Sequence, residues 1–353
     1  MKVRKLHMKN FMLFDDMEIQ WSKNINVISG ENSTGKTTLL KILYSTLKPL
    51  AKLNPEITSK EKMEEAFVNK MVGVFRPDES KLGRMVSRRQ GSNRCDCIIE
   101  LDSSSKITLG FSNRQEKHAD LEYCFNRKYE KFEPVYIPPK EMISATEHFQ
   151  SLYEEYHLDF EETYYDLTKL LDRPLKRGAN TTEQKAVLNS FEDIMEGSII
   201  QRDKKFYLKI QGSGEFEMGL VSEGYRKLAT IIYLISSGSL SKNSVLFWDE
   251  PETNMNPMMI RPIVEAIVEL AKMGVQVFVT THDYFVQQCF NLIAAYPQNN
   301  PYKLDIQFVS LYFDANKAIQ CETAKTVSML RHNAIMEEFD ALYDREQRIL
   351  YED

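Results

Sequence analysis

The chain has 353 residues, enough at roughly 100–200 per domain for two domains or for one large α/β core carrying an inserted lobe. Its 42% hydrophobic and 27% charged residues, with 14 Gly and 12 Pro, describe an ordinary folded chain and exclude collagen-like, disulfide-scaffold and disordered classes. Its 45 Lys and Arg against 51 Asp and Glu leave a net charge of −6, so no overall positive field gathers nucleic acid or an anionic membrane, and any DNA contact has to be a local patch.

The chain opens Met1-Lys2-Val3-Arg4-Lys5 and runs into alternating residues, without the apolar core of a secretion signal. No stretch approaches the roughly 20 apolar residues that cross a bilayer, so a cytoplasmic protein is expected. A strand pair is predicted from Val3 to Phe11 and Met17 to Trp21 around a turn at residues 10–16, followed by a short apolar strand, Ile25 to Ile28.

That strand leads into Gly30-Glu31-Asn32-Ser33-Thr34-Gly35-Lys36-Thr37-Thr38, which contains G-x-x-x-x-G-K-T, and Leu39, Leu40, Ile42 and Leu43 supply the apolar stripe of a following helix. Strand, glycine-rich loop and helix make this a P-loop: backbone N–H groups turn inward around phosphate oxygens and the helix directs its positive end at them. Lys36 is expected to reach the β and γ phosphates, and Thr37 to offer a hydroxyl to Mg²⁺, which keeps several waters and takes few protein ligands.

Residues 59–75 have helical spacing and 95–125 alternate as strands and turns, extending an antiparallel sheet. Between them lies a basic stretch, Arg76, Lys81, Arg84, Arg88, Arg89 and Arg94, with Asp78 and Glu79 as local acids. It is readable as a DNA-phosphate contact, as an arginine offered to ATP in trans, or as a solvated or salt-bridged loop. Residues 146–172 mix Tyr153, Tyr156, Phe160, Tyr164 and Tyr165 with six acids and read as helical, in an inserted lobe with one face open to core or to a basic partner. Strands at Ser198–Ile200 and Lys205–Lys209 return the chain to a helix opened by Ser222-Glu223-Gly224.

The apolar strand Ser244 to Trp248 ends in Asp249 and Glu250, as a Walker B strand does: Asp249 placed to hold Mg²⁺ through water, Glu250 to orient and deprotonate the attacking water. A further strand, Gln276 to Thr280, carries His282 at its carboxyl end, where nucleotide sites of α/β sheets collect, and His282 is assigned as a γ-phosphate sensor. A last strand pair, 304–313 and 318–321, precedes a helix from about Ala324 whose stripe Ile335, Phe339, Leu342 and Ile349 is predicted to pack on the body or a partner, a solvated acidic tail being the alternative. The five cysteines and six histidines are scattered without metal-site spacing, so the cysteines are read as reduced and structural.

Ser222-Glu223-Gly224 ahead of the Asp249 strand resembles the signature motif of ABC-type ATPases, and Pro251-Glu252-Thr253-Asn254-Met255-Asn256-Pro257 resembles their D-loop. The opening around Asn10-Phe11 and the Glu-Pro-Glu run resemble OLD-like and DNA-repair ABC ATPases with an SMC/RecF-like head of AAA type. The resemblance covers roughly residues 1–45, 133–145 and 218–290. It implies an α/β ABC-type P-loop head with a mixed central sheet, an N-terminal antiparallel sheet and an inserted helical lobe, divided as 1–140, 141–217 and 218–353. It also implies that Ser222 and Gly224 contact ATP held by a second copy, so that Mg·ATP joins two chains head to tail, and possibly into a higher oligomer.

The Q-loop glutamine of that family has no clear equivalent at residues 135–141; either Lys140 or Glu141 replaces its contact, or coupling between the lobes differs. Residues 50–210 lack the heptads of long coiled-coil arms, and the roughly 70 residues after His282 lack the Asp-x-Asp of a Toprim nuclease. What remains resembles the stand-alone ATPase of two-gene anti-phage systems, PARIS-like or Septu-like, whose partner is a nuclease from the adjacent gene. A DNA-repair ATPase acting directly on DNA is the alternative, and a transporter ATPase subunit is disfavoured.

Overall fold

The computed structural model describes residues 1–88, 91–125, 129–156, 158–178 and 180–351. Arg89 of the basic stretch, His157 and the last two acids of the tail lie outside the described residues. In chain order the first elements are β1 (Val3–Phe11), β2 (Phe14–Gln20), β3 (Ile25–Gly30), α1 (Lys36–Lys52), α2 (Lys60–Phe75), β4 (Arg94–Leu101), β5 (Lys106–Ser112), β6 (Asp120–Cys124) and β7 (Glu133–Ile137). Then come α3 (Phe149–Tyr156), α4 (Glu162–Leu171), α5 (Thr182–Met195), β8 (Gly197–Arg202), β9 (Lys205–Ile210), β10 (Gly214–Glu217), α6 (Glu223–Ser236) and β11 (Ser244–Trp248). The chain continues through α7 (Ile260–Lys272), β12 (Gln276–Thr280), α8 (Tyr284–Ala295), β13 (Ile306–Phe313), β14 (Ile319–Ala324) and α9 (Ala334–Tyr351).

Three sheets follow from three sequence patterns. The alternating strands pair antiparallel in the order β2-β1-β4-β5-β6, burying Leu6, Met8, Ile19, Cys97 and Leu109 on one face and wetting the other. The short continuous apolar runs form the central sheet, order β14-β13-β3-β12-β11-β7, parallel except for β14. Such strands are covered on both faces, and alternate residues serve different cores. Ile28, Val245, Phe247 and Phe278 join α1, α2 and the antiparallel sheet; Val27, Leu246, Trp248 and Val277 join α4 to α8. The third sheet, β10-β9-β8, is an antiparallel meander.

The first hairpin is tighter than predicted: Phe11 pairs Phe14, leaving Met12 and Leu13 as the turn, with Met12 at φ 49°. The helical reading of 146–172 is corrected to two helices, because Glu161 is extended at φ −65°, ψ 147° ahead of α4. The fold-back stacks Tyr153 on Tyr165 with centroids 4.6 Å apart and sets Phe149 edge-on to Phe160 at 5.4 Å.

The last helix starts at Ala334 rather than near 324, since the Glu322 carboxylate takes the N–H groups of Arg331 and His332 and holds that segment in a loop. Only its first turns are docked, with Phe339 stacked 4.5 Å from Tyr284. Packing of the stripe on the body stops there: Leu342 and Ile349 are 56% and 66% exposed, and α9 has no buried residue. Among the described residues no helix is long and apolar enough to cross a membrane. All five cysteines are free, with Cys95 and Cys97 buried side by side on β4.

Candidate active site

The carboxyl ends of β3, β11 and β12 lie next to one another in the central sheet, so the P-loop, Asp249-Glu250 and His282 converge on one point. Within the loop Gly30, Ser33 and Gly35 take φ values of 143°, 65° and 90°. A Cβ on Gly30 would stand 2.1 Å from the Leu311 carbonyl oxygen of β13, and one on Gly35 2.6 Å from the Phe14 ring, so side chains are excluded by space as well as by conformation. Glu31, Asn32 and Ser33 are exposed, Thr34 is buried with its hydroxyl donating to the Glu31 carbonyl at 2.8 Å, and Thr38 is half-buried in the first turn of α1. Gly35 brings no capping side chain to α1, which leaves its first-turn N–H groups available to an anion.

Lys36 curls back over the loop, its Nζ donating to the carbonyls of Gly30 at 2.8 Å and Glu31 at 2.7 Å. Burial lowers its pKa to about 8 against the pull of Glu250 and Asp249. Asp249 is 2% exposed. Its Oδ1 accepts from the hydroxyls of Thr37 (3.0 Å) and Thr280 (2.5 Å), and its Oδ2 from Tyr136 (3.0 Å). Burial still pushes the carboxyl above its ordinary range, three hydroxyls being a weaker counterweight than one cation.

Glu250 occupies the left-handed region, φ 47°, with its N–H donating to Thr280 Oγ1 at 3.0 Å. Its Oε1 lies 3.1 Å from His282 Nε2, and its Oε2 accepts from Thr253 Oγ1 at 3.2 Å. The hydrogen bond from His282 holds its pKa below the usual carboxylate range, which keeps Glu250 ionised and so able to accept a proton. Glu252 ties the next turn down: Oε1 accepts from Thr281 Oγ1 (2.7 Å) and the His282 N–H (2.9 Å), while burial raises its pKa.

The structure therefore gathers Gly30 to Thr38, Asp249, Glu250 and His282. Ser222 stays outside that group: it is exposed at the start of α6, its hydroxyl makes no capping bond, and no hydrogen bond among the described residues joins it or Gly224 to the loop. Gly224 is buried against Met255 and Met259 of the D-loop side.

Four contributors escaped the sequence. Tyr136 and Thr280 reach Asp249 because β7 and β12 flank β11. Lys227, 2% exposed, runs from α6 into the D-loop, donating to the carbonyls of Pro251 (2.9 Å) and Thr253 (2.8 Å). Burial lowers its pKa to about 8. The fourth is Arg226: Glu141 accepts from Arg226 Nη1 at 2.7 Å and from Ser144, and so faces α6, while Lys140 is exposed. The hydroxyl that reaches Asp249 from this segment belongs to Tyr136.

The basic stretch is largely neutralised. Lys81 pairs with local Glu79, Arg84 with local Asp78 and Arg94 with Asp96 two residues on, while the fold brings Asp159 to Arg76, Glu116 to Lys81 and Asp120 to Arg94. The salt-bridged reading of that loop holds for these four.

Residues 1–165 match the family described as "AAA ATPase domain", and residues 112–286 the family described as "AAA domain, putative AbiEii toxin, Type IV TA system". The DNA replication and repair protein RecF of Halalkalibacterium halodurans is 31% identical over 83 residues, 23% of this chain and 22% of that protein. RecF of Ligilactobacillus salivarius is 29% identical over 99 residues, 28% of this chain and 23% of that protein. The chain thus spans less than a quarter of the length of the curated relatives it matches.

Among solved structures, an SmcHead bound to the C-winged helix domain of ScpA superposes with a TM-score of 0.54 at 12% identity, covering 92% of this chain and 98% of that one. An Smc head domain with an extended coiled coil, bound to the C-terminal domain of ScpA derived from Pyrococcus furiosus, gives 0.50 at 10% identity over 98% and 99%. With the site geometry, these matches describe a P-loop nucleotide site in a chain similar to AAA ATPase domains over residues 1–165 and 112–286, built on the fold of an Smc head.

Proposed function

We propose that the chain is an Mg·ATP-driven switch: ATP joins two copies head to tail, and hydrolysis releases them. The observation that carries this is the division of the machinery, with Lys36, Thr37, Asp249, Glu250 and His282 gathered behind one loop while Ser222 is presented to solvent. Exposed at a helix start, Ser222 is placed to meet a phosphate held by another molecule.

The residues fit Mg²⁺, since the Thr37 hydroxyl and Asp249 carboxylate, hard oxygen donors, lie 3.0 Å apart beside the loop. The ion would be held by that pair and would neutralise charge on the β and γ phosphates. Lys36 exchanges the carbonyls of Gly30 and Glu31 for phosphate oxygens. Glu250 accepts the proton of a water as its oxygen bonds to the γ-phosphorus and the bond to the β–γ bridging oxygen breaks, leaving ADP and phosphate. His282 holds Glu250 in place and senses the γ-phosphate. Residues 141–217 form the lobe that moves, with 1–140 and 218–353 building the nucleotide core.

The output is control of a separately encoded effector nuclease in anti-phage defence. The toxin–antitoxin description of the family matched by 112–286 supports that reading, as does the pairing of Arg76, Lys81, Arg84 and Arg94 with carboxylates rather than their being left free for phosphates. The second reading, an ATPase acting directly on DNA in repair or recombination, is favoured by the name of the RecF relatives.

Light scattering of Glu250→Gln with and without Mg·ATP, alone and with the product of the adjacent gene, separates these. A dimer formed only with ATP that retains the neighbour is the expected result. A monomer that stays monomeric with ATP bound sinks the composite site, and a dimer that ignores the neighbour but holds duplex DNA supports the second reading.

A further inference from the structure

A cavity of about 520 Å³ opens between Lys48 and Lys52 of α1, Lys131 ahead of β7, Arg173 behind α4 and Ser241 behind α6. It lies at the opposite end of α1 from the P-loop, about 20 Å along the helix axis, and so is separate from the nucleotide site. Four of its lining residues are cations and one, Glu133, is an acid. Glu133 is shared, with Lys48 Nζ at 2.7 Å on one oxygen and Arg173 Nη1 at 2.9 Å on the other.

The acids behind the wall do not restore balance. Lys52 is 3.9 Å from Asp166, but Asp166 bonds Lys70 at 2.8 Å, and Lys70 also takes Glu162 at 2.5 Å. Counting that layer, five cations (Lys48, Lys52, Lys70, Lys131, Arg173) face three carboxylates (Glu133, Glu162, Asp166), an excess of two positive charges. Lys131 is exposed and has no ion pair among the described residues. Burial first, and then neighbouring Lys70 and Lys48, lower the pKa of Lys52 against the opposing pull of Asp166 and Glu162.

We propose that this cavity is a binding site for a compact polyanion carrying two or more phosphates. Its volume suits a nucleotide-sized ligand, and its polar lining is ammonium, guanidinium and hydroxyl groups with one carboxylate, Glu133, already held by two cations. A guanidinium already fixed by Glu133 and by Ser239 Oγ at 3.3 Å is pre-organised for phosphate oxygens. The ligand would span the tail of α1 and the loop after α6. Those two helices begin at the P-loop and at Ser222, and the wall between them is stitched by Tyr233 donating to the Arg173 carbonyl at 2.7 Å. Occupancy would therefore fasten the two helices at their far ends.

The test is calorimetric titration of the full chain, already saturated with Mg·ADP, with inorganic triphosphate in one arm and a 5′-phosphorylated dinucleotide in the other, while ADP retention is followed. One equivalent bound in either arm without ADP release is expected, and the Lys52→Gln/Lys131→Gln chain should bind it at least tenfold more weakly while holding Mg·ADP as before. Both side chains reach solvent, so that variant folds, and its Mg·ADP binding reports this. No binding in either arm, heat that arises only from displaced ADP, or equal affinity in the variant would each overturn the site.

Discussion

Lys227 is a cation with almost no water and two carbonyl partners, and those carbonyls, Pro251 and Thr253, bracket the turn that follows Glu250. Replacing it by Met should leave nucleotide binding intact and slow phosphate release on the order of 10- to 100-fold, because Glu250 loses the anchor of its turn. The same residue sets a pH dependence. Its folded pKa of about 8 lies below the ordinary 10.5, so between these values the unfolded chain binds more protons than the folded one. The cost of the buried charge is full below pH 8 and lifts as pH rises, so the urea midpoint of the wild type should gain on that of Lys227→Met from pH 8 to 10.

At this scale the P-loop, Asp249, Glu250 and His282 were legible because each is tied to a short motif. Tyr136, Thr280 and Lys227 were not, because their roles depend on which strands flank β11 and on where α6 lies over the D-loop. Thr280 stood in plain view in the run Val-Thr-Thr-His. Only the parallel pairing of β11 and β12, Trp248 opposite Val279, turns its hydroxyl toward Asp249.

Among the elements, α4 is the one clasped by charge. Asp166, 3% exposed, takes Lys70 of α2 at 2.8 Å and the Tyr44 hydroxyl of α1 at 2.6 Å, and Glu162 takes the same lysine. Removing one member of a buried pair costs more than the pair contributes, since the other is left charged and dry. Because Glu162 still holds Lys70, Asp166→Ala should lower unfolding free energy by about 1–3 kcal/mol in urea melts, the scale of charged hydrogen bonds lost to Lys70 and Tyr44, whereas a Glu→Gln change at exposed Glu79 should register almost nothing.

Helix periodicity reads one face well and chain reversal poorly. The aromatics from 149 to 165 kept near-helical spacing across a break because the two short helices fold against each other through those same rings. The stripe on α9 shows the converse, a good apolar pattern of which this chain covers only the first turns.

At the scale of the whole molecule, the proposed composite site can be tested by complementation. Lys36→Ala spoils the loop and leaves the signature; Ser222→Arg does the reverse. Each alone should be inactive, but a heterologous head-to-tail pair restores one site of two, so an equimolar mixture should recover about a quarter of wild-type turnover. Activity that stays at zero in the mixture would mean that both motifs serve the same chain.

The neighbours of β3 carry one more consequence. The strand that ends in the P-loop is complete at residue 30, yet its two partners in the sheet are β12 and β13, at residues 276–280 and 306–313. On a ribosome that adds about 5–20 residues per second, this segment waits roughly 10 to 60 s for either partner. Throughout that time the future centre of the sheet is an apolar ribbon with both edges unpaired, the kind of template on which other nascent chains can pair. The architecture that seats ATP most firmly is thus the last to close, and overexpression at lowered temperature or with trigger-type chaperones should raise soluble yield more than any surface change to the finished protein.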